Sequence, residues 1–177
     1  AVADWLNNQD KTTLKDYLIK WYNRYPHAGF GEFFKKFTET GEAQESNGNG
    51  GAMRVAPCAV VAKSLEEAVS LAETQCIVSH TTDIAKDGAK AIAAAVFIAK
   101  DGASRGKTDV EIKQDVKSYV GEHYGYNLNM TLEEIQARSK RLQFESAIYK
   151  ITDIKTLGYQ NMSSASLSCP MAIMAFL

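Results

Sequence analysis

The sequence reads as an all-α domain, and three observations point there. Helix-start signals recur along nearly the whole chain, among them the pairs Ser64 with Glu67, Thr108 with Glu111 and Thr131 with Glu134, each a hydroxyl three residues before a glutamate. Apolar residues return at three- and four-residue intervals, the spacing that lines one face of a helix. Alternating or β-branched runs bounded by turn residues, the marks of strands, hardly occur.

Trp5 and Leu6 belong to a first short helix. Thr13 can cap a second, in which Leu14, Tyr17, Leu18 and Trp21 share a face and which ends before Pro26. A short helix around Phe33, Phe34 and Phe37 follows the Gly29-Phe30-Gly31 punctuation. The only long loop runs from Thr40 to Gly51. The apolar stretch Ala52 to Ala62 reads as helical around its proline. Ser64 opens a helix carrying Leu65, Ala68, Val69 and Ala72. Thr82 or Asp83 begins an alanine-rich core helix that stops near Gly102, its small side chains allowing neighbours to approach closely. Thr108 opens a helix with Val110, Ile112, Val116, Tyr119 and Val120, and Thr131 opens one with Leu132, Ile135 and Leu142. The segment 144–160 is less regular. Ser163 or Ser164 opens a final helix through Pro170 to Leu177, the proline being tolerable near a first turn. The count is seven or eight helices, with no internal repeat.

At 177 residues the chain is sized for one domain with a real core, spanning residues 1–177. A formal net charge of -1 gives no reason to expect nucleic acid or an anionic membrane as partner. The basic cluster at Arg138, Lys140 and Arg141 sits in a helical pattern and reads as a solvated face. Cys58, Cys76 and Cys169 are too far apart for a zinc motif and odd in number, so each reads as a small buried hydrophobe in a reducing, cytoplasmic setting. The most apolar stretch, Ala89 to Ala99, is about half of the roughly 20 residues a membrane span needs.

Both ends are unusual. The chain starts in the middle of a helical pattern at Ala1, and it finishes on an apolar run from Met171 to Leu177, with no charged residue after Lys155. A helix apolar on every side has to be covered. The expectation is a larger fold that is incomplete at both ends, with a native C-terminal helix tucked into the core, or one that self-associates, as the other readings.

The stretch from Ser46 to Pro57 carries the chemistry. Gly48, Asn49, Gly50 and Gly51 permit left-handed backbone and close approach of a ligand to main-chain amides. They run into a helix start, where free N–H groups and the positive end of the dipole suit phosphate oxygens. Composition leaves two readings open, a plain turn or a phosphate site. The wider pattern is more specific. Gly48-Asn49-Gly50-Gly51-Ala52-Met53-Arg54, followed by Pro57, is similar to the glycine-asparagine-glycine and methionine-arginine signature of the ADP-ribosylglycohydrolase family. Ser79-His80 before the alanine-rich helix resembles that family's Ser/Thr-His motif, and Ser164, Ser166 and Pro170 fall in the expected order downstream.

The resemblance implies an orthogonal, all-α multi-helix bundle around a cleft that holds two Mg²⁺ ions, and an enzyme that cleaves the glycosidic bond between ADP-ribose and a modified acceptor. It implies that Gly48, Asn49, Gly50 and Gly51 contact the diphosphate and ribose. Met53 and Arg54 would anchor the loop to the helix behind it, and His80 would lie near the ribose. Simpler roles stand beside these: a left-handed turn at Asn49, a pairing of Arg54 with a core carboxylate, a capping or core role for His80. His27 and His123 have no motif context, and Thr81, Thr82 and Asp83 read as helix capping.

The departures from the family matter as much. Its metal-ligand motifs, before the first helix and after the last, have no counterpart in this sequence. Asp10, Asp83, Asp87, Asp101 and Asp115 are scattered, whereas hard divalent ions need several oxygens converging on one point. The expectation is an ADP-ribosylglycohydrolase-like hydrolase whose ADP-ribose-binding loop lies in this chain. No metal is expected to bind this chain alone, and the partner is ADP-ribose or an ADP-ribosylated substrate. The alternatives are a non-catalytic ADP-ribose-binding module and a helical scaffold that self-associates through its apolar C-terminal helix.

Overall fold

The structure, a computed structural model, describes residues 1–8, 12–131, 133, 134, 137 and 164–177. Among these residues there are nine helices and no strand. They are α1 (Val2–Asn7), α2 (Leu14–Arg24), α3 (Glu32–Thr40), α4 (Gly50–Met53), α5 (Ala56–Val61), α6 (Leu65–Ile77), α7 (Asp83–Ser104), α8 (Asp109–Tyr124) and α9 (Ala165–Phe176). None of the described helices is long and apolar enough to cross a membrane. Asp10, the helix interior expected at Leu132, Ile135 and Leu142, the Arg138 to Arg141 run, Ser163 and the segment 144–160 lie outside the described residues.

Local chemistry explains where the helices start. Thr13 and Asp16 form a reciprocal capping box on α2, and Thr108 and Glu111 form another on α8. The backbone N–H groups of Thr131 and Glu134 are likewise satisfied by each other's side chains. At α6 only half of the expected box is made. Ser64 accepts from the Glu67 amide, while the Glu67 carboxylate accepts from the amide of Lys63 one residue earlier. Thr82 caps α7 through the Ala85 amide.

Two expectations need correction. The segment Ala52 to Ala62 is two short helices with a break at Arg54 and Val55, not one helix around Pro57, which sits in the first turn of α5. Pro170 lies inside α9, beyond its first turn, where the ring cannot donate to the Ser166 carbonyl.

The long helix α7 organises the packing. It touches α4, α5, α6, α8 and α9. One of its faces, with Ala85, Ala89, Ala93 and Phe97, enters a core built with Leu14, Leu18, Phe37, Val55, Cys58, Ala68, Ala72 and Cys76. Another, with Ala91 and Ala95, enters a second core with Val116, Val120, Leu128 and Ile173. Alanine suits both demands: it is the best helix former, and it leaves room for neighbours on several sides at once. Lys100 on α7 also closes α5. Its ammonium donates to the carbonyls of Ala59, Val60 and Ala62, each at 2.9 Å, satisfying the end of a helix that has no glycine cap.

The approach is closest where α9 crosses α7. A Cβ at Gly88 would lie 2.7 Å from the Cβ of Ala165 and 2.9 Å from Cys169 Sγ. Gly88→Val is therefore expected to push α9 outward and cost about 1–3 kcal/mol, the usual penalty for overpacking. Urea unfolding checks it, and an unchanged midpoint would contradict this packing.

Candidate ligand-binding site

The loop 41–49 joins α3 to α4 and is tied down on both sides. On one side Gln44 forms a parallel bridge with His80. Its amide donates to the Ser79 carbonyl at 3.0 Å, and its carbonyl accepts from Thr81 at 3.1 Å. On the other side Gly48 bridges Ser164 in antiparallel fashion, and the Asn47 carbonyl accepts from the Ala165 amide at 2.9 Å. Thr82 Oγ1 donates to the Ser46 carbonyl, and Ser46 Oγ accepts from the Gly48 amide. The loop thus spans the gap between the start of α7 and the start of α9, with its backbone direction fixed.

Beneath it lies a buried polar network. Arg54, just past the end of α4, reaches back to the C-terminal turn of α6. Its Nε donates to Gln75 Oε1 at 2.8 Å, and its Nη2 donates both to the Gln75 carbonyl at 2.9 Å and to Ser79 Oγ at 2.7 Å. Gln75, fully buried, uses its other end to donate to the Gly51 carbonyl at 2.8 Å and the Ala72 carbonyl at 3.1 Å. Ser79 Oγ and His80 Nδ1 lie 2.8 Å apart.

No carboxylate faces Arg54 among the described residues; its acceptors are an amide, a carbonyl and a hydroxyl. The pairing with a core carboxylate is therefore not what the structure holds. Burial lowers its pKa to about 10, which leaves it charged at neutral pH. Burial, with the Arg54 charge beside it, pushes His80 down to about 4, so the imidazole is neutral. The result is one fixed positive charge under a loop of glycines.

The glycines are required by their neighbours. A Cβ on Gly50 would lie 2.8 Å from His80 Cε1 and 2.9 Å from Nε2, so the imidazole lies against the bare Cα. A Cβ on Gly51 would lie 2.5 Å from Cys76 Sγ. Asn49 precedes α4, and its side-chain amide donates to Ser168 Oγ on α9 at 2.9 Å. In this structure Asn49 is thus a tie to α9, in a right-handed conformation with φ near -80°, not a left-handed turn residue.

Arg54, expected to anchor the loop, ties the end of α4 to the C-terminal turn of α6. Met53, expected to do the same, has a side chain that is 78% exposed. Gly51 and Ala52 already use the inward face of the single turn of α4, so the next residue points out. The structure brings Gly48, Gly50, Gly51, Arg54 and His80 together, with Asn49 at the rim toward α9. Sequence reasoning missed Gln75, Ser46 and Ser168. Gln75 could have been found, because it shares the buried face of α6 with Ala68, Ala72 and Cys76, and a lone amide on such a face needs polar partners. Nothing local marks Ser46 or Ser168.

Among the described residues no group of three or more His, Cys, Asp or Glu could hold a metal ion. Of the aspartates considered as substitutes, the four described ones face cations instead. Asp83 pairs with Lys86, Asp87 with Lys90, Asp101 with Arg105 and Asp115 with Lys107.

The described residues form an all-helical fold in which a glycine-rich loop is tied to the starts of α7 and α9. The ADP-ribosylglycohydrolase family model matches residues 1–177, and the chain belongs to that family. No curated protein matches it.

Two predictions follow from the geometry. Gly51→Ala is expected to destabilise the fold by roughly 1–3 kcal/mol through its clash with Cys76. Adding Cys76→Ala should recover much of that loss in a double-mutant cycle, and strict additivity would contradict the contact. His80 is neutral when folded, whereas in the unfolded chain it titrates near 6.5. The unfolded state therefore binds more protons between about pH 6.5 and pH 4, and the contribution of His80 is lost as pH falls through that window. Its size is on the order of 2–3 kcal/mol. Denaturant titrations at pH 7.5 and pH 4.5 should show that this part of the acid sensitivity is absent in His80→Gln.

Proposed function

We propose that this chain binds ADP-ribose on the Gly48 to Gly51 loop and serves, as family membership indicates, in an ADP-ribosylglycohydrolase-type hydrolysis. One observation carries the binding reading. Arg54 is a partly buried cation without a carboxylate partner among the described residues, bonded to Gln75, whose amide holds the Gly51 carbonyl, and to Ser79, whose hydroxyl meets the His80 ring beside Gly50. An unpaired buried charge is costly, and an anion above the loop relieves that cost. A diphosphate is the part of ADP-ribose that supplies such charge.

The roles divide accordingly. Gly50, lying against His80 without a side chain, lets a ligand approach the backbone, while Gly51 lets α4 pack onto Cys76 of α6. Asn49 holds the loop to α9 through Ser168 and lies at the edge of the bound nucleotide. His80, neutral and packed against Gly50, stands at the ribose side. Gln75 and Arg54 hold the loop from below.

Mg²⁺, which the family generally uses, has no ligand set among the described residues, so no step of this reading passes through a metal. In this reading the described residues bind and orient the ligand.

Calorimetric titration with ADP-ribose, with and without Mg²⁺, tests the reading. The wild-type chain should bind, and Gly50→Val, whose side chain would displace the His80 ring, should bind at least about tenfold more weakly, the loss of roughly one good contact. Thermal melts confirm that the variant is folded. Wild-type protein that fails to bind ADP-ribose under both conditions would sink the proposal.

A further inference from the structure

We propose that Ser79 and Arg54 are positioning residues that fix the proton of His80 on Nε2, so that the imidazole offers a hydrogen-bond donor to whatever occupies the Gly48 to Gly50 loop. Arg54 Nη2 has two hydrogens, and both are committed, one to the Gln75 carbonyl and one to Ser79 Oγ. Arginine has no acceptor, so at the contact with Ser79 the hydroxyl must accept. Ser79 is buried, and its oxygen has one hydrogen of its own to place. Among the described residues the one remaining partner of that oxygen is His80 Nδ1, at 2.8 Å.

Two assignments compete. If Nδ1 carried the proton, Ser79 Oγ would accept twice, and its own hydrogen would be buried without an acceptor among the described residues. If Nδ1 is bare, every group is satisfied: Arg54 donates to Ser79, and Ser79 donates to His80. Buried polar hydrogens are almost always placed, so the second arrangement holds. The ring proton then sits on Nε2, and the ring is neutral, as its burial beside Arg54 also requires.

Nε2 has no partner within the described residues. It lies next to the bare Cα of Gly50, where an added Cβ would come within 2.9 Å, and next to Gly48, where the distance would be 3.6 Å. Gln75 completes the device by holding the Arg54 Nε, so that the guanidinium cannot rotate away from Ser79. A ligand group facing His80 must therefore be an acceptor, such as a ribose or phosphate oxygen. A ligand that offers only a donor there would meet a mismatched N–H. This inference rests on the ADP-ribose reading only for the identity of that acceptor; the proton's position is a property of the free chain.

The experiment is long-range ¹H–¹⁵N correlation spectroscopy of the full chain with ¹⁵N-labelled histidine at neutral pH, without ligand. The resonance of His80 is assigned by its absence in His80→Gln. The expected result is a protonated Nε2 and an unprotonated Nδ1 that accepts a hydrogen bond. In Ser79→Ala, Nδ1 should shift to the position of a free unprotonated nitrogen, and Ser79→Thr should restore the wild-type shift. Arg54→Met should weaken the Ser79 bond and move Nδ1 part of the way; if that variant loses its fold, the Ser79 pair decides. A protonated Nδ1 in the wild type, or a Nδ1 shift unchanged in Ser79→Ala, would overturn the proposal. Adding ADP-ribose separates the two readings. If Nε2 is protonated and ADP-ribose does not bind, the positioning inference stands and the ligand reading fails. If ADP-ribose binds while Nδ1 carries the proton, the reverse holds.

Discussion

A single buried guanidinium sets the geometry around the loop. Arg54 is charged and enclosed, so it must find several good acceptors within the reach of one side chain. It finds them at the end of α6, in the Gln75 carbonyl, the Gln75 amide oxygen and the Ser79 hydroxyl. Arg54 lies in the break between α4 and α5, so its bonds tie that break to the end of α6. The same bonds hold Ser79 and so place His80 beside Gly50. Remove the guanidinium, and α4, the end of α6 and the loop lose their common reference.

The rest of the molecule supports this arrangement through α7. A helix that borders two cores cannot carry large side chains on both faces without driving its neighbours apart, and its alanines resolve the conflict. Near its N-terminal end, α7 meets α4 and the capping contacts of the loop. At Gly88 it lets α9 come close enough for Ser168 to reach Asn49. The distance from the alanine-rich helix to the binding loop is thus short in physical terms: close packing at Gly88 and one side-chain hydrogen bond.

Much of this was legible in the sequence, and the parts that were not share a cause. Thr13, Thr82 and Thr108 announced their helices because capping is a local transaction between residues three apart. The glycine loop and Ser79-His80 stood out through their resemblance to the family's motifs, since composition alone left a plain turn open. Arg54 was marked as an anchor, yet its partners were not, since Gln75 and Ser79 are brought to it only by the crossing of α4 and α6. Met53 was misassigned for the same reason: which residue of a single helical turn faces inward depends on where that turn starts. Asn49 was read as a ligand or turn residue, and its tie to Ser168 joins positions 119 residues apart, which no local pattern encodes. Ser164 was read as an opening of α9 and does precede it, but the helix continues through Pro170 well past its first turn, where a proline removes one backbone donor.

The double fastening of the loop bears on time as well as on shape. Gln44 to His80 on one side and Gly48 to Ser164 on the other leave the segment between them little freedom to rearrange. An occupant then meets a surface already in its final form, and little ordering entropy is left to be lost on contact. Encounter and capture would merge into one event: association would follow a single exponential whose rate rises linearly with ligand concentration, without the plateau of a slow closing step. The two lone bridges, which add little to the mass of the core, would thus decide how quickly the loop fills, more than how stable the bundle is.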